Sequence, residues 1–472
     1  MQADEEYFAS EEFQEILEQY ETSVKSGHSP YMDVDDLADI ADYYHMNERF
    51  AEADDAIQLA LSLYPGATSP LVYKIHEALN VGDVKAAIGY QEQIEDQSDI
   101  EFLFISAEIL IAQDKIDEAD EMFRKYFREI APDEHQDYVI DVANIYSDYN
   151  VHDKAMEWMS RAMPEDNDDF KELTARTMFG LGKYKESERI FNELIDHNPF
   201  SKYYWNALAS AQFMNEDYSA SVTSSEYAIA IDPEDAESLL SKANGLYRLE
   251  NYEEALKFFE RYTEKVPYDE FGLLHQGTCL INISQYDKAI DILEEALKFS
   301  HPQSQYLPEI YQELAFAYSE LKKPDTALYY LDKTEDLECD HLDILVIKGH
   351  ILLSNGRQEE AEKMFQKAIV ESGNAPKTMM RILVSIYDNK YVHAAYTMFK
   401  KLFTIVSDDW TEGFAYMALC CWDLQQYDEF LHYLKIATER NPKEARMVLN
   451  SIFPEGMAPE EYYPFMKEKY RL

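Results

Sequence analysis

The sequence predicts an all-α fold: an α-α superhelix of antiparallel helix pairs, with capping helices at both ends. Three observations predict it. A step of 34 residues recurs: Tyr218, Tyr252 and Tyr286 keep it, as do Ser221, Ala255 and Ala289, and Pro233 and Pro267. A constant period in this range marks a stack of like supersecondary units. Apolar or small residues fall at three- and four-residue steps, as in Trp205, Leu208 and Ala209, then Ser221, Ser225 and Ala228. Such spacing gives amphipathic helices. Finally, Gly (14) and Pro (16) are scarce in 472 residues, which suits helices joined by short turns.

The elements follow in order. Residues 1–33 hold an N-terminal capping helix, with Phe13, Ile16, Leu17 and Tyr20 on one face and Ser10 as its cap. The array covers 34–442. The small residue that opens each second helix traces it: Ala53, Ala87, Ala119, Ala155, Ser187, Ser221, Ala255, Ala289, Ala327, Ala361 and Ala394, with Phe430 in the last unit. That makes twelve candidate repeats. The step from Ala289 to Ala327 is the longest, so the turn at 299–307 is the expected hinge. Residues 443–472 form a C-terminal capping helix and tail. Glu444–Phe453 reads as one helix ended by Pro454, and Pro459 starts another. The aromatic tail packs on the last repeat; self-association through it is the sharper alternative.

Composition narrows function. Lys and Arg number 42 against 92 Asp and Glu, a net charge of −50. So acidic a chain repels phosphate backbones and anionic lipid, which disfavours nucleic acid and membrane surfaces. Solubility of a long exposed array explains the charge blandly; an acidic groove for a basic partner explains it functionally. The four cysteines form no CxxC pair and no zinc pattern. The N-terminus lacks a basic and an apolar signal region, and no apolar run reaches a membrane span. The chain as written reads as cytoplasmic.

Several units resemble the tetratricopeptide repeat, whose signature is W-x2-L-G-x2-Y, then A-x3-F, then P. Tyr311-x2-Leu314-Ala315-x2-Tyr318 matches the first helix, and Ala255-x3-Phe259, Ala361-x3-Phe365 and Ala119-x3-Phe123 match the second. Leu37-x2-Ile40-Ala41-x2-Tyr44 begins an early copy. The resemblance implies a right-handed superhelix whose first helices line a concave, peptide-binding side. One subclass grips a C-terminal carboxylate with clustered basic residues. Here only Lys171 and Arg176 share a helix, with Glu172 between them, which speaks against that use.

No nucleotide-binding, zincin or serine-hydrolase motif occurs, so the reading is not an enzyme. No cofactor is expected, and His45, His76, His275 and His350 on separate first helices do not make a metal site. Groove positions in the early repeats are acidic: Asp39, Asp42 and Asp141, with Asp35, Glu101, Glu108 and Asp148. Later ones are mixed: Tyr203, Asn206, Asn244, Tyr247 and His275. The expected function is a scaffold binding a protein or peptide segment in this groove, a basic one being a candidate. The alternative is a peptide- or small-ligand-sensing regulator that acts through a partner.

Overall fold

The computed structural model describes residues 7–26, 31–47, 49–163, 167–454 and 456–470. Among the described residues there are 27 α-helices, one 3-10 turn and no strand. A lone helix, Glu11–Lys25, comes first. Helices then alternate as pairs: Val34–Met46 with Phe50–Leu63, Thr68–Asn80 with Val84–Gln91, Ile100–Ala112 with Ile116–Phe127, His135–Asp148 with His152–Met159, and Asp168–Gly180 with Tyr184–His197. Lys202–Met214 and Tyr218–Ile231 follow. Six further pairs run from Ala236–Arg248 with Tyr252–Lys265 to Phe414–Asp423 with Tyr427–Arg440. Pro442–Leu449 and Pro459–Tyr470 end the order. The helices pack on their neighbours in sequence, which makes an all-α solenoid. Two compact units are present, Met1–Glu216 and Asp217–Leu472.

The turns inside the pairs explain their regularity. Three residues separate the two helices, and the middle one is left-handed. Gly82, Asp114, Asn150, Gly182, Glu250, Ser284, Lys322, Gly356, Lys390 and Gln425 hold φ between 58° and 76°. The next residue then donates its N–H back across the helix end: Lys115 to the Leu110 carbonyl at 2.9 Å, and Lys323 to that of Tyr318 at 2.9 Å. This is the Schellman closure, which satisfies carbonyls the helix end would leave bare. Only three of these ten positions are glycine, so the other seven bear a Cβ cost of about 1 kcal/mol each.

Packing follows from the small residues. Ala53, Ala87, Ala119, Ala155, Ser187, Ala255, Ala289, Ala327 and Ala361 are fully buried, and Phe430 takes this place in the last pair. In the eleventh pair the expected Ala394 is exposed and Ala395 is the buried residue. The frame there is Ala395-x3-Phe399, one residue later than expected, and Ala395 is the fourth residue of its helix after a three-residue turn, as Ala361 is in the helix from Gln358. Close approach within a pair also fixes glycines: a Cβ at Gly349 would lie 2.3 Å from the Phe365 ring.

Both ends are covered. Ser10 Oγ accepts from the Phe13 N–H at 3.2 Å, and Phe13, Leu17 and Tyr20 join the core of the first pair. At the other end the α-helix starts at Pro442 and stops at Leu449, with a 3-10 turn to Ile452, rather than running from Glu444 to Phe453. Tyr462 stacks on Phe453 with ring centroids 3.8 Å apart, and Tyr462 and Met466 are buried in the last core. The 299–307 turn lies inside the second unit, where Glu270 accepts the His301 N–H at 3.0 Å and also bonds Ser304.

Candidate functional site

In the first unit, acidic and aromatic side chains of successive first helices meet. Asp39 and Asp42 project from the helix Val34–Met46 and share a cleft with His45, Tyr73, His76 and Glu77. Its volume is about 390 Å³. Asp39 accepts a hydrogen bond from the Tyr7 hydroxyl at 2.6 Å, which, with burial and the Asp39 charge, pushes the phenol up to about 12. Tyr73 is linked to His45 Nδ1 at 3.0 Å.

A chain of contacts carries this face along the unit. Ser69 donates to Asp35 at 2.7 Å, from the second pair to the first. His76 Nε2 lies 3.1 Å from Glu108 on the third pair, and the Tyr149 hydroxyl, in the turn of the fourth pair, donates to the same oxygen at 3.0 Å. Burial works against the His76 imidazolium. Glu108, then Asp42 and Glu101, outweigh it and hold its pKa above the ordinary value. Burial and the charges of Asp99 and Asp35 raise Glu101 in turn. Asp141 is exposed on the helix His135–Asp148; desolvation by the surrounding helices and then Asp137 raise its pKa. For Glu101 and Asp141 the charged form is thus disfavoured by burial and by neighbouring carboxylates.

Tyr203 and Asn206 stand on Lys202–Met214, Tyr203 half-buried and Asn206 only 2% exposed. Asn206 is thus a packed residue.

In the second unit the face is aromatic. Tyr247 packs edge-on to His275 at 5.3 Å, and Phe271 lies 4.0 Å from the same imidazole. His275 Nδ1 is 3.0 Å from the Phe271 carbonyl, and burial lowers its pKa. Asn244 is half-buried one turn before Tyr247 on Ala236–Arg248. Beyond His275 stands Glu313, on Leu307–Glu320. Burial and then the charge of Glu309 push its carboxyl up to about 7.

Residues 203–296 match the family model described as anaphase-promoting complex, cyclosome, subunit 3, and residues 342–369 match a tetratricopeptide repeat model. The chain is a tetratricopeptide repeat protein. MamA residues 41–end from Desulfovibrio magneticus RS-1 is 20% identical, covering 37% of this chain and 96% of its own at a TM-score of 0.35. A further MamA crystal structure is 16% identical, covering 36% and 94% at a TM-score of 0.32.

In this tetratricopeptide repeat protein a second cavity, of about 700 Å³, opens in the first unit. Ser147, Asp148, His152, Arg176, Phe179 and Tyr203 are among its walls. Arg176 pairs with Asp148. Sequence reasoning placed Arg176 and Asp148 on first helices but did not join them. It missed Ser147, His152 and Glu313. Nothing in local spacing marks these three, since their character comes from burial by neighbouring repeats.

The remaining chemistry is structural. Burial pushes the thiols of Cys279, Cys420 and Cys421 up to about 12, far from a reactive thiolate. Among the described residues no group of three or more His, Cys, Asp or Glu could hold a metal ion. No described helix is long and apolar enough to cross a membrane.

Proposed function

We propose that this protein is a non-catalytic scaffold that binds a basic segment of a partner protein along the first-helix face of its first unit. Tetratricopeptide proteins in general serve protein–protein interaction. The observation that carries the finer reading is the run from Asp39 and Asp42 through His76 and Glu108 to Tyr149. Four successive pairs contribute to it, on helices already rigid, so little ordering is needed on binding. Like charges in a shared concavity focus a negative potential, favouring Lys- and Arg-rich segments and speeding their encounter.

The test is binding of a Lys/Arg-rich peptide of about fifteen residues to the purified chain at rising salt, against the triple variant Asp39→Asn, Asp42→Asn, Asp141→Asn. Affinity that falls with salt and drops about tenfold or more in the variant supports the reading. Equal binding by both proteins would show that the charge serves solubility alone.

A further inference from the structure

Two residues ahead of the capping helix reach the acidic cleft of the first unit. Tyr7 and Phe8 both line it, beside Asp39 and Asp42. Their settings differ. Phe8 is half-buried and packs on the core of the first pair, its ring 4.8 Å from that of Phe13 and 5.7 Å from that of Tyr43. Its carbonyl accepts from the Gln14 side-chain amide at 2.7 Å. Tyr7 is 40% exposed. A hydrogen bond of 2.6 Å from its hydroxyl to Asp39 Oδ2 ties its side chain to the first helix of the array. Phe8 therefore anchors the segment, and Tyr7 stands over the cleft on a side chain that a turn about χ1 would release.

The bond suits an ionised acceptor, since short O–H···O contacts are typical of a carboxylate. The bond to Asp39, then burial, raises the Tyr7 phenol to about 12, so it keeps its proton and goes on donating at neutral pH. A basic side chain needs the same carboxylate. Arginine pairs with both oxygens of a carboxylate in one plane, and here one oxygen is taken. The Tyr7 ring is also a wall of the cleft in which Asp39 lies.

We propose that Tyr7 is an intramolecular competitor: its phenol holds Asp39 in the unbound chain and must swing out before a partner's basic side chain takes that carboxylate. The inference rests on the reading of this face as a site for a basic segment, and adds a control to it. A partner meets the fraction of molecules in which the phenol is out, and its apparent affinity falls by that fraction. One hydrogen bond of ordinary net worth shifts such an equilibrium about fivefold.

The experiment titrates the full chain with the Lys/Arg-rich peptide of about fifteen residues, against Tyr7→Phe and Tyr7→Ala. Tyr7→Phe removes the hydroxyl and keeps the ring; Tyr7→Ala opens the cleft. Both should bind the peptide about fivefold more tightly than the natural chain. A second readout places 3-fluorotyrosine at position 7 and follows its fluorine NMR signal. Saturating peptide should move that signal towards its position in Asp39→Asn, where the charged acceptor is gone. Equal or weaker binding by Tyr7→Phe, or a fluorine signal that saturating peptide leaves in place, would overturn the proposal. In those cases the peptide still binds, and the acidic reading stands. If no variant binds the peptide, the acidic reading fails and the competitor falls with it.

Discussion

His76 and Glu108 join the second and third repeats through a contact of 3.1 Å between imidazole Nε2 and carboxylate. Glu108 also takes the Tyr149 hydroxyl, so one carboxylate ties three repeats together on the first-helix face. Long-range order in a solenoid rests on such nearest-neighbour terms.

The pair predicts a titration shift. Glu108 outweighs the burial that disfavours the charged ring, so the folded pKa of His76 lies above its ordinary 6.5. Its stabilising effect is full below the unfolded value and fades as pH rises through the folded one. Glu108→Gln should lower the NMR titration midpoint of His76; an unmoved midpoint would contradict the coupling.

Glu313 predicts a dependence of the same sign from a different cause. Its carboxyl rises from an ordinary 4.5 to about 7, because burial and Glu309 penalise the charge. Ionisation therefore works against the folded state, and stability should decline as pH rises from 4.5 through 7. Glu313→Gln should unfold at higher denaturant than the natural chain at pH about 8, with the difference vanishing at pH about 4. Chemical denaturation at both values decides it.

Ser187 sits where nearly every other repeat has alanine, and its buried Oγ lacks a partner. Ser187→Ala removes that unsatisfied group without leaving a large void. We expect a gain of about 1 kcal/mol, measured as a shift of the denaturation midpoint of the first unit. A loss of stability would mean that the hydroxyl is engaged.

Lys322 occupies a left-handed turn position with φ 60°. Lys322→Gly removes the Cβ strain but gives the unfolded chain more freedom, and the two partly cancel. A net gain of about 0.5 kcal/mol is expected, whereas Lys322→Val should cost more than 1 kcal/mol, since β-branching tolerates this region least. Thermal melts of the three proteins rank them.

The repeat was legible because it is local. Helix faces, the Ala255-x3-Phe259 spacing and the turn after Leu249 depend on residues within one unit, and 34-residue recurrence multiplies a weak signal. The shift from Ala394 to Ala395 escaped notice because both are alanine, and only packing tells which one faces the partner helix. Of the residues named for the groove, Asp39 and Asp42, one helical turn apart, line one cleft. Asn206, chosen on the same grounds, is packed away.

The sequence by itself determined the pairing, the small-residue contacts and the acidic character, since period and composition act through neighbours along the chain. Tertiary structure decided which charges meet. His76 finds Glu108 across 32 residues, Arg176 finds Asp148 across 28, and Ser147 and His152 are left without partners beside a cavity. These relationships depend on how one repeat settles on the next, a matter of a few ångströms. Coulomb and hydrogen-bond energies change steeply over that distance, while helix propensity and periodicity do not register it.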